Sequence, residues 1–156
     1  MDIVSLRGAS SQSWQHNPMS SERARLRYQD KFTPREMDKI RMGYIPEEME
    51  EKWFIYMEGD WLYLHQSWTG DCTFMVKFYQ GNYHYRVAEA WVTREGIERG
   101  TLKRKDDVQL LRFLIRFMLL DEELEYPRRE GESDYDYALG MWGCVGKEMV
   151  KDIKRV

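Results

Sequence analysis

The apolar and polar positions in the middle of the chain follow a period of two residues, which predicts four β-strands. The first two strands, residues 52–58 and 61–66, are separated by Gly59-Asp60, and a Gly in the first place suits a two-residue type II′ turn. The next two, residues 72–79 and 83–92, are separated by another short turn. Two consecutive hairpins of this kind predict an antiparallel meander.

Helical spacing of apolar residues precedes these strands. Residues 18–31 carry a row of basic side chains and predict a charged helix. A second helix is predicted to open with a capping box at residues 33–36, because Thr33 is followed by Pro34 in the first helical position and by Glu36. Gly43 is the expected end of this helix.

Two more helices are expected after the strands. Apolar residues occupy most of positions 108–120, so a helix capped by Asp106 or Asp107 should lie buried against one face of the sheet. Ser133 is the expected N-cap of a last helix that extends to about residue 154. The elements together predict an α+β fold: a four-stranded antiparallel meander sheet covered by a buried helix, with N-terminal helices and a C-terminal helix.

The length of 156 residues suits one domain. Residues 1–17 are rich in Ser and Gln and predict a flexible N-terminal arm, which leaves residues 18–156 as a single α+β domain. With 24 Lys and Arg against 27 Asp and Glu, the net charge is −3. This balance does not favour binding to nucleic acid or to anionic lipid.

The cysteine and histidine content narrows the expected chemistry. The two cysteines, Cys72 and Cys144, form no CxxC pair, and there is no HExxH or His-rich tract, so we expect no metal and no cofactor. The N-terminus lacks the apolar run of a signal peptide, and the longest apolar stretch is too short to span a bilayer. These features predict a cytoplasmic protein with reduced thiols and no membrane association.

Pairing the first hairpin through Gly59-Asp60 assigns its side chains to two faces. Met57 then lies opposite Leu62 and Ile55 opposite Leu64, which makes one face strongly apolar. The other face combines aromatic rings with polar groups and carries Phe54, Tyr56, Trp61, Tyr63 and His65. Packing is the commoner role of such rings, but polar ring tips also suit a binding surface.

The string from Lys52-Trp53-Phe54-Ile55-Tyr56 to His65-Gln66-Ser67-Trp68-Thr69-Gly70 resembles a family of small bacterial proteins whose activity is not established. The family pattern has a Met and a Lys-Trp before one strand, then an aromatic strand that ends in His-Arg-Ser-Trp-Thr-Gly. The resemblance covers about residues 32–92 and implies an association with ADP-ribose-processing enzymes. Gln66 departs from the family, because Arg is usual at that position.

These observations predict a small binding module for a nucleotide-like ligand or for a protein partner. The resemblance implies that such a ligand would be of the ADP-ribose type. The aromatic face and the loop at residues 67–71 would form the site, with rings that stack and polar groups that exchange hydrogen bonds. The candidate ligand-binding residues are Tyr56, Trp61, Tyr63, His65, Gln66, Ser67, Trp68, Thr69 and Arg86.

Two alternatives remain open at this point. A hydrolase of nucleotide-type substrates could use His65 as acid or base with Asp71 or Glu89 as its partner. An immunity or antitoxin-like protein could instead dock the acidic stretch at residues 130–136 on a basic partner.

Overall fold

The computed structural model describes residues 8–95, 104–125, 127 and 133, and the fold is α+β. The elements, in chain order, are β1 (Arg23–Leu26), β2 (Lys31–Phe32), α1 (Pro34–Met42), β3 (Trp53–Glu58), β4 (Trp61–Gln66), β5 (Cys72–Gln80), β6 (Tyr85–Thr93), α2 (Arg104–Phe113) and a π-helical segment (Leu114–Leu119).

One antiparallel sheet contains all six strands in the order β1-β6-β5-β4-β3, and β2 pairs with the same edge of β6 as β1 does. The sheet is therefore larger than the four strands expected from the sequence. The first hairpin has the expected register, with Met57 opposite Leu62 and Ile55 opposite Leu64. Gly59 has a φ of 60° and Asp60 has no positive φ, as a type II′ turn requires.

The prediction of a helix over residues 18–31 is wrong, because this segment is extended and supplies β1 and β2. Ala24 lies opposite Val92 and Leu26 opposite Ala90, so both face the apolar core. The alternation Arg-Ala-Arg-Leu-Arg-Tyr at residues 23–28 is a period of two. It matches a strand better than a helix, and pairing with β6 satisfies its backbone groups.

The apolar face of the sheet, here called the inner face, is covered by the helices. The core on this side includes Trp53, Phe74 and Leu111, each at most 2% exposed. Helix α1 begins and ends as predicted: Thr33 and Glu36 form the capping box, and Gly43 is the C-cap. The inner face therefore stabilises the fold and leaves the opposite face for other contacts.

The buried helix begins earlier than predicted, at Arg104. Asp107 is not its cap; its side chain is almost fully buried and accepts a hydrogen bond from Nη1 of Arg94 at 2.8 Å. The helix then widens to a π-helix, as the 3.2 Å hydrogen bond from the Leu120 amide to the Ile115 carbonyl indicates. Arg116 lies in this widened segment.

Arg116 joins the π-helical segment to the strand edge. Its guanidinium donates two hydrogen bonds to the Asp30 carboxylate, at 3.0 and 2.5 Å, and Nη1 lies 2.6 Å from Glu122. Tyr28 donates to Asp30 as well, at 2.7 Å. Burial acts to raise the pKa of Asp30, but the hydrogen bonds from Arg116 and Tyr28 outweigh it and hold that pKa below its ordinary value.

Replacing Arg116 by glutamine should lower the free energy of unfolding by about 2–4 kcal/mol, because Asp30 would remain largely buried without its cation. Urea denaturation measures the change. The exposed Arg112→Gln in the same helix is the matched control and should change stability by less than about 0.5 kcal/mol. Equal effects of the two variants would mean that the ion pair contributes nothing specific.

Several expected features lie outside the described residues, namely the C-terminal helix, the acidic stretch at residues 130–136 (apart from Ser133) and Cys144. Among the described helices, none combines the length and the apolar character needed to cross a membrane.

Candidate functional site

The second face of the sheet, here called the outer face, is continuous across five strand positions. One row of directly opposite residues crosses it completely and consists of Tyr56, Tyr63, Met75, Trp91 and Arg25. The neighbouring row begins with Phe54, His65 and Cys72. The register thus decides a point that the hairpin sequences leave open: β5 and β6 add Met75 and Trp91 to the aromatic face.

Part of the outer face is covered by residues 8–19, here called the N-terminal segment, most of which belongs to the predicted flexible arm. The Ala9 amide donates to the Met42 carbonyl at 2.7 Å, and Ala9 packs with Phe54 and Tyr56 in a small second core. Trp14 lies against the same cluster. From residue 8 onward this segment therefore packs over one part of the outer face.

The loop at residues 67–71 holds the N-terminal segment through its backbone carbonyls. Trp14 donates its indole N–H to the Ser67 carbonyl at 2.7 Å, and the Asn17 amide donates to the Gly70 carbonyl at 2.8 Å. Gly70 has a φ of +79°, and a Cβ there would lie only 3.1 Å from the Cα of His16. The close approach of the two backbones explains why a glycine stands at this position.

A cleft of about 380 Å³ remains between the N-terminal segment, the start of β1 and the outer face. Its volume falls in the lower part of the roughly 300–1,000 Å³ range typical of small-molecule sites. The described residues that line it are His16, Asn17, Pro18, Met19, Arg23, Tyr56, Tyr63, His65, Cys72 and Met75.

His65 is the most unusual side chain of this cleft. It is 1% exposed, and its Nδ1 lies 3.0 Å from the Gly70 carbonyl, which can only accept, so Nδ1 carries the proton. Nε2 is then a bare acceptor, and it is the one fully buried polar side-chain atom in the described part of the chain that has no partner. Burial lowers the pKa of His65 below its ordinary value of 6.5 and outweighs the Gly70 hydrogen bond, which acts to raise it.

Aromatic rings surround His65 and fix its plane. Tyr56 is stacked on it with a ring separation of 5.7 Å, and His16 meets it edge-on at 5.2 Å. Tyr63 stacks on Tyr56 at 5.1 Å. Burial raises the pKa of Tyr56 to about 12 and also raises that of Tyr63, so both hydroxyls keep their protons and can donate.

Three of the predicted ligand-binding residues line the cleft: Tyr56, Tyr63 and His65. Ser67 and Trp68 do not line it. The Ser67 hydroxyl donates to the Glu51 carbonyl at 2.7 Å, and the Trp68 indole donates to the Met49 carbonyl at 2.6 Å. These two side chains therefore secure the loop before β3. Lys52 strengthens the arrangement with its ammonium 3.4 Å from the centre of the Trp68 ring.

The other predicted ligand-binding residues are also outside the cleft. Gln66 follows His65 in β4, lies opposite Trp53 of the inner face, is exposed and does not line the cleft. Thr69 accepts a hydrogen bond from the Asp71 amide at 3.1 Å. Trp61 lies at the hairpin end of β4, and Arg86 lies at the far end of β6.

Neither predicted acidic partner orients His65. Glu89 is two strands away and accepts a 2.9 Å hydrogen bond from the Trp91 indole. Asp71 lies exposed on the loop, 3.5 Å from the Asn17 side-chain amide. Burial raises the pKa of Cys72 to about 12, so this thiol is not a nucleophile at neutral pH. Within the described ranges, no three His, Cys, Asp or Glu side chains are grouped as a metal site would require.

Sequence reasoning missed the part of the cleft that comes from residues 16–23 and from β5. His16 and Asn17 belong to the predicted arm, Arg23 to the predicted helix, and Met75 to a strand whose register was open. The alternation at residues 23–28 was a usable signal for Arg23, since it indicates a strand. Trp14 was the one local signal that the N-terminal segment contacts the sheet.

No protein-family model, curated protein or solved structure matches this chain. Function is therefore inferred from the cleft itself.

Proposed function

We propose that this protein binds a small nucleotide-like ligand in the cleft on its outer face. The observation that carries the proposal is the unpaired Nε2 of His65, an acceptor held in a single tautomer and enclosed by rings. Leaving such a group without a partner costs about 1–3 kcal/mol. A ligand N–H or O–H that donates to Nε2 would offset this cost once the rings that bury Nε2 move aside to admit it.

The rest of the cleft fits a flat ligand with polar edges. Tyr63 is partly exposed and lies beside Met75, so a planar ring can pack on this apolar surface. The Tyr56 and Tyr63 hydroxyls and the side chain of Asn17 add neutral hydrogen-bonding groups around it. Nucleobases combine a planar ring with N–H donors on one edge, which is why we favour a nucleotide-like ligand over an aliphatic one.

A thermal-shift screen of the full chain tests this function, with NAD, ADP-ribose, cyclic dinucleotides and nucleoside phosphates as probes. A ligand that binds only the native state at a hundred times its Kd stabilises by about 2.7 kcal/mol, which is a readily measured rise in Tm. Saturable stabilisation by one class would support the proposal. A folded protein that none of these compounds stabilises would contradict it.

The affinity for such a ligand should fall in acid. The pKa of His65 is lowered, so the ring is neutral at pH 7 and Nε2 is free to accept a hydrogen bond. As the pH falls through the lowered pKa, which lies below 6.5, Nε2 gains a proton and can then only donate a hydrogen bond. We expect a constant Kd from about pH 8 to pH 6.5 and a rising Kd below it. The same measurement on His16→Gln distinguishes the two histidines. If the loss of affinity in acid disappears in this variant, the effect belongs to His16 and not to His65.

Hydrolysis of a nucleotide-type substrate is the second candidate function, because a neutral ring nitrogen in a cleft can also take a proton from water. No carboxylate among the described residues orients the ring, which favours binding over turnover. Each stabilising compound is incubated with the protein, and chromatography measures whether a product forms. This measurement decides between binding and hydrolysis. Turnover that is absent in His65→Asn would favour the hydrolase.

A further inference from the structure

The only charged side chain among the described residues that line the cleft is Arg23. Its Nε donates to the Ser20 carbonyl at 3.0 Å, and Nη2 donates to the Met19 carbonyl at 3.3 Å. These bonds hold the guanidinium in place, and its remaining N–H groups have no acceptor among the described residues. The positive charge acts within the cleft, where it lowers the pKa of Cys72 against the larger, opposite effect of burial.

Arg23 has no acidic partner in the described part of the chain, whereas Arg94 and Arg116 are both paired with carboxylates. The lining residues contain no Asp or Glu. Arg25 lies two residues further along β1 on the same face, opposite Trp91. A chain with a net charge of −3 thus presents an unpaired cation at the mouth of its cleft.

From this arrangement we infer that the ligand is an anion of the nucleoside monophosphate class, with its base at His65 and its phosphate at Arg23. The inference rests on the proposed function and adds the ligand's charge and orientation. A guanidinium offers two parallel N–H groups to phosphate oxygens. The cleft volume of about 380 Å³ suits one base with its sugar and phosphate better than a dinucleotide.

Calorimetric titration of the full chain compares adenosine, guanosine, cytidine and uridine with their 5′-monophosphates. The wild type should bind a monophosphate about tenfold more tightly than its nucleoside, as expected for a charge-assisted hydrogen bond from an exposed guanidinium. Arg23→Gln should remove this preference, because it weakens monophosphate binding more than nucleoside binding. The matched control is Arg35→Gln, an exposed arginine of α1, which should keep the preference.

Each other outcome overturns a defined claim. Nucleosides that bind through His65 but gain nothing from the phosphate would overturn the anionic ligand and leave the proposed function standing. An equal loss of nucleoside and monophosphate binding in Arg23→Gln would show that Arg23 only holds the Met19 and Ser20 backbone. A monophosphate preference that survives in Arg23→Gln would place the phosphate elsewhere. If none of the eight compounds binds, the monophosphate inference fails, and the thermal-shift screen with NAD, ADP-ribose and cyclic dinucleotides then decides whether the proposed function fails with it.

Discussion

Replacing His65 by asparagine should weaken ligand binding by about tenfold or more and leave the protein folded. The asparagine amide can occupy the place of Nδ1 and donate to the Gly70 carbonyl, so the contact that holds the ring in the wild type is kept. No atom of asparagine reaches the position of Nε2, so the acceptor for the ligand is lost. The variant thus separates the structural nitrogen of His65 from the nitrogen that faces no partner.

Calorimetry with the best compound from the thermal-shift screen measures this loss, and urea denaturation checks the fold. The shorter side chain leaves a small cavity, which should cost about 1–2 kcal/mol of stability. His84→Asn is the matched control, since His84 lies in the turn before β6 and does not line the cleft. Unchanged affinity in His65→Asn would mean that Nε2 is not a ligand contact.

Replacing Gly70 by alanine should destabilise the protein by about 2–4 kcal/mol and release the N-terminal segment from the sheet. A φ of +79° is strained for any residue with a Cβ, and the new methyl group would meet the backbone of Gln15 and His16 at 3.1–3.4 Å. The Gly70 carbonyl accepts from both Asn17 and His65. A shift of this one group would therefore disturb a wall of the cleft and the orientation of its central ring together.

Gly59→Ala separates the two causes. Gly59 also has a positive φ, of 60°, but a Cβ there meets nothing within 4 Å, so its cost of about 1–2 kcal/mol measures backbone strain alone. The excess in Gly70→Ala reports the contact with the N-terminal segment. Faster chymotryptic cleavage at Trp14 in Gly70→Ala, and not in Gly59→Ala, would show the release directly. Equal effects of both variants on stability and cleavage would contradict the role given to this contact.

Local pattern was sufficient for the features that depend on neighbours in the chain. The Gly59-Asp60 turn, the register of the first hairpin and the Thr33 capping box all follow from residues a few positions apart, and all three are present. The division of the first hairpin into an apolar face and a polar aromatic face follows from its register as well. Tyr56, Tyr63 and His65 could be chosen as site residues for this reason.

Residues 18–31 show where local pattern failed. Their charge favoured an exposed helix, but one edge of β6 was available for pairing. The alternation of Ala24 and Leu26 with arginines fits a strand at that edge. The prediction of a helix followed from the charge of this segment and not from its two-residue period. The polar groups of the loop at residues 67–71 suggested a ligand from the sequence; in the structure the Ser67 hydroxyl donates to the Glu51 carbonyl, and the Ser67 carbonyl accepts from the Trp14 indole.

Tertiary structure alone decided which segment lies over the aromatic face. A strand's period specifies the side on which a residue lies, but not what covers that side, because the covering segment can come from anywhere in the chain. The cleft joins residues 16–23 to strands that begin some thirty residues later, through backbone hydrogen bonds that have no sequence signature. Within the described residues, Nε2 of His65 and the charge of Arg23 are left without partners by that assembly, and these two features support the proposed function.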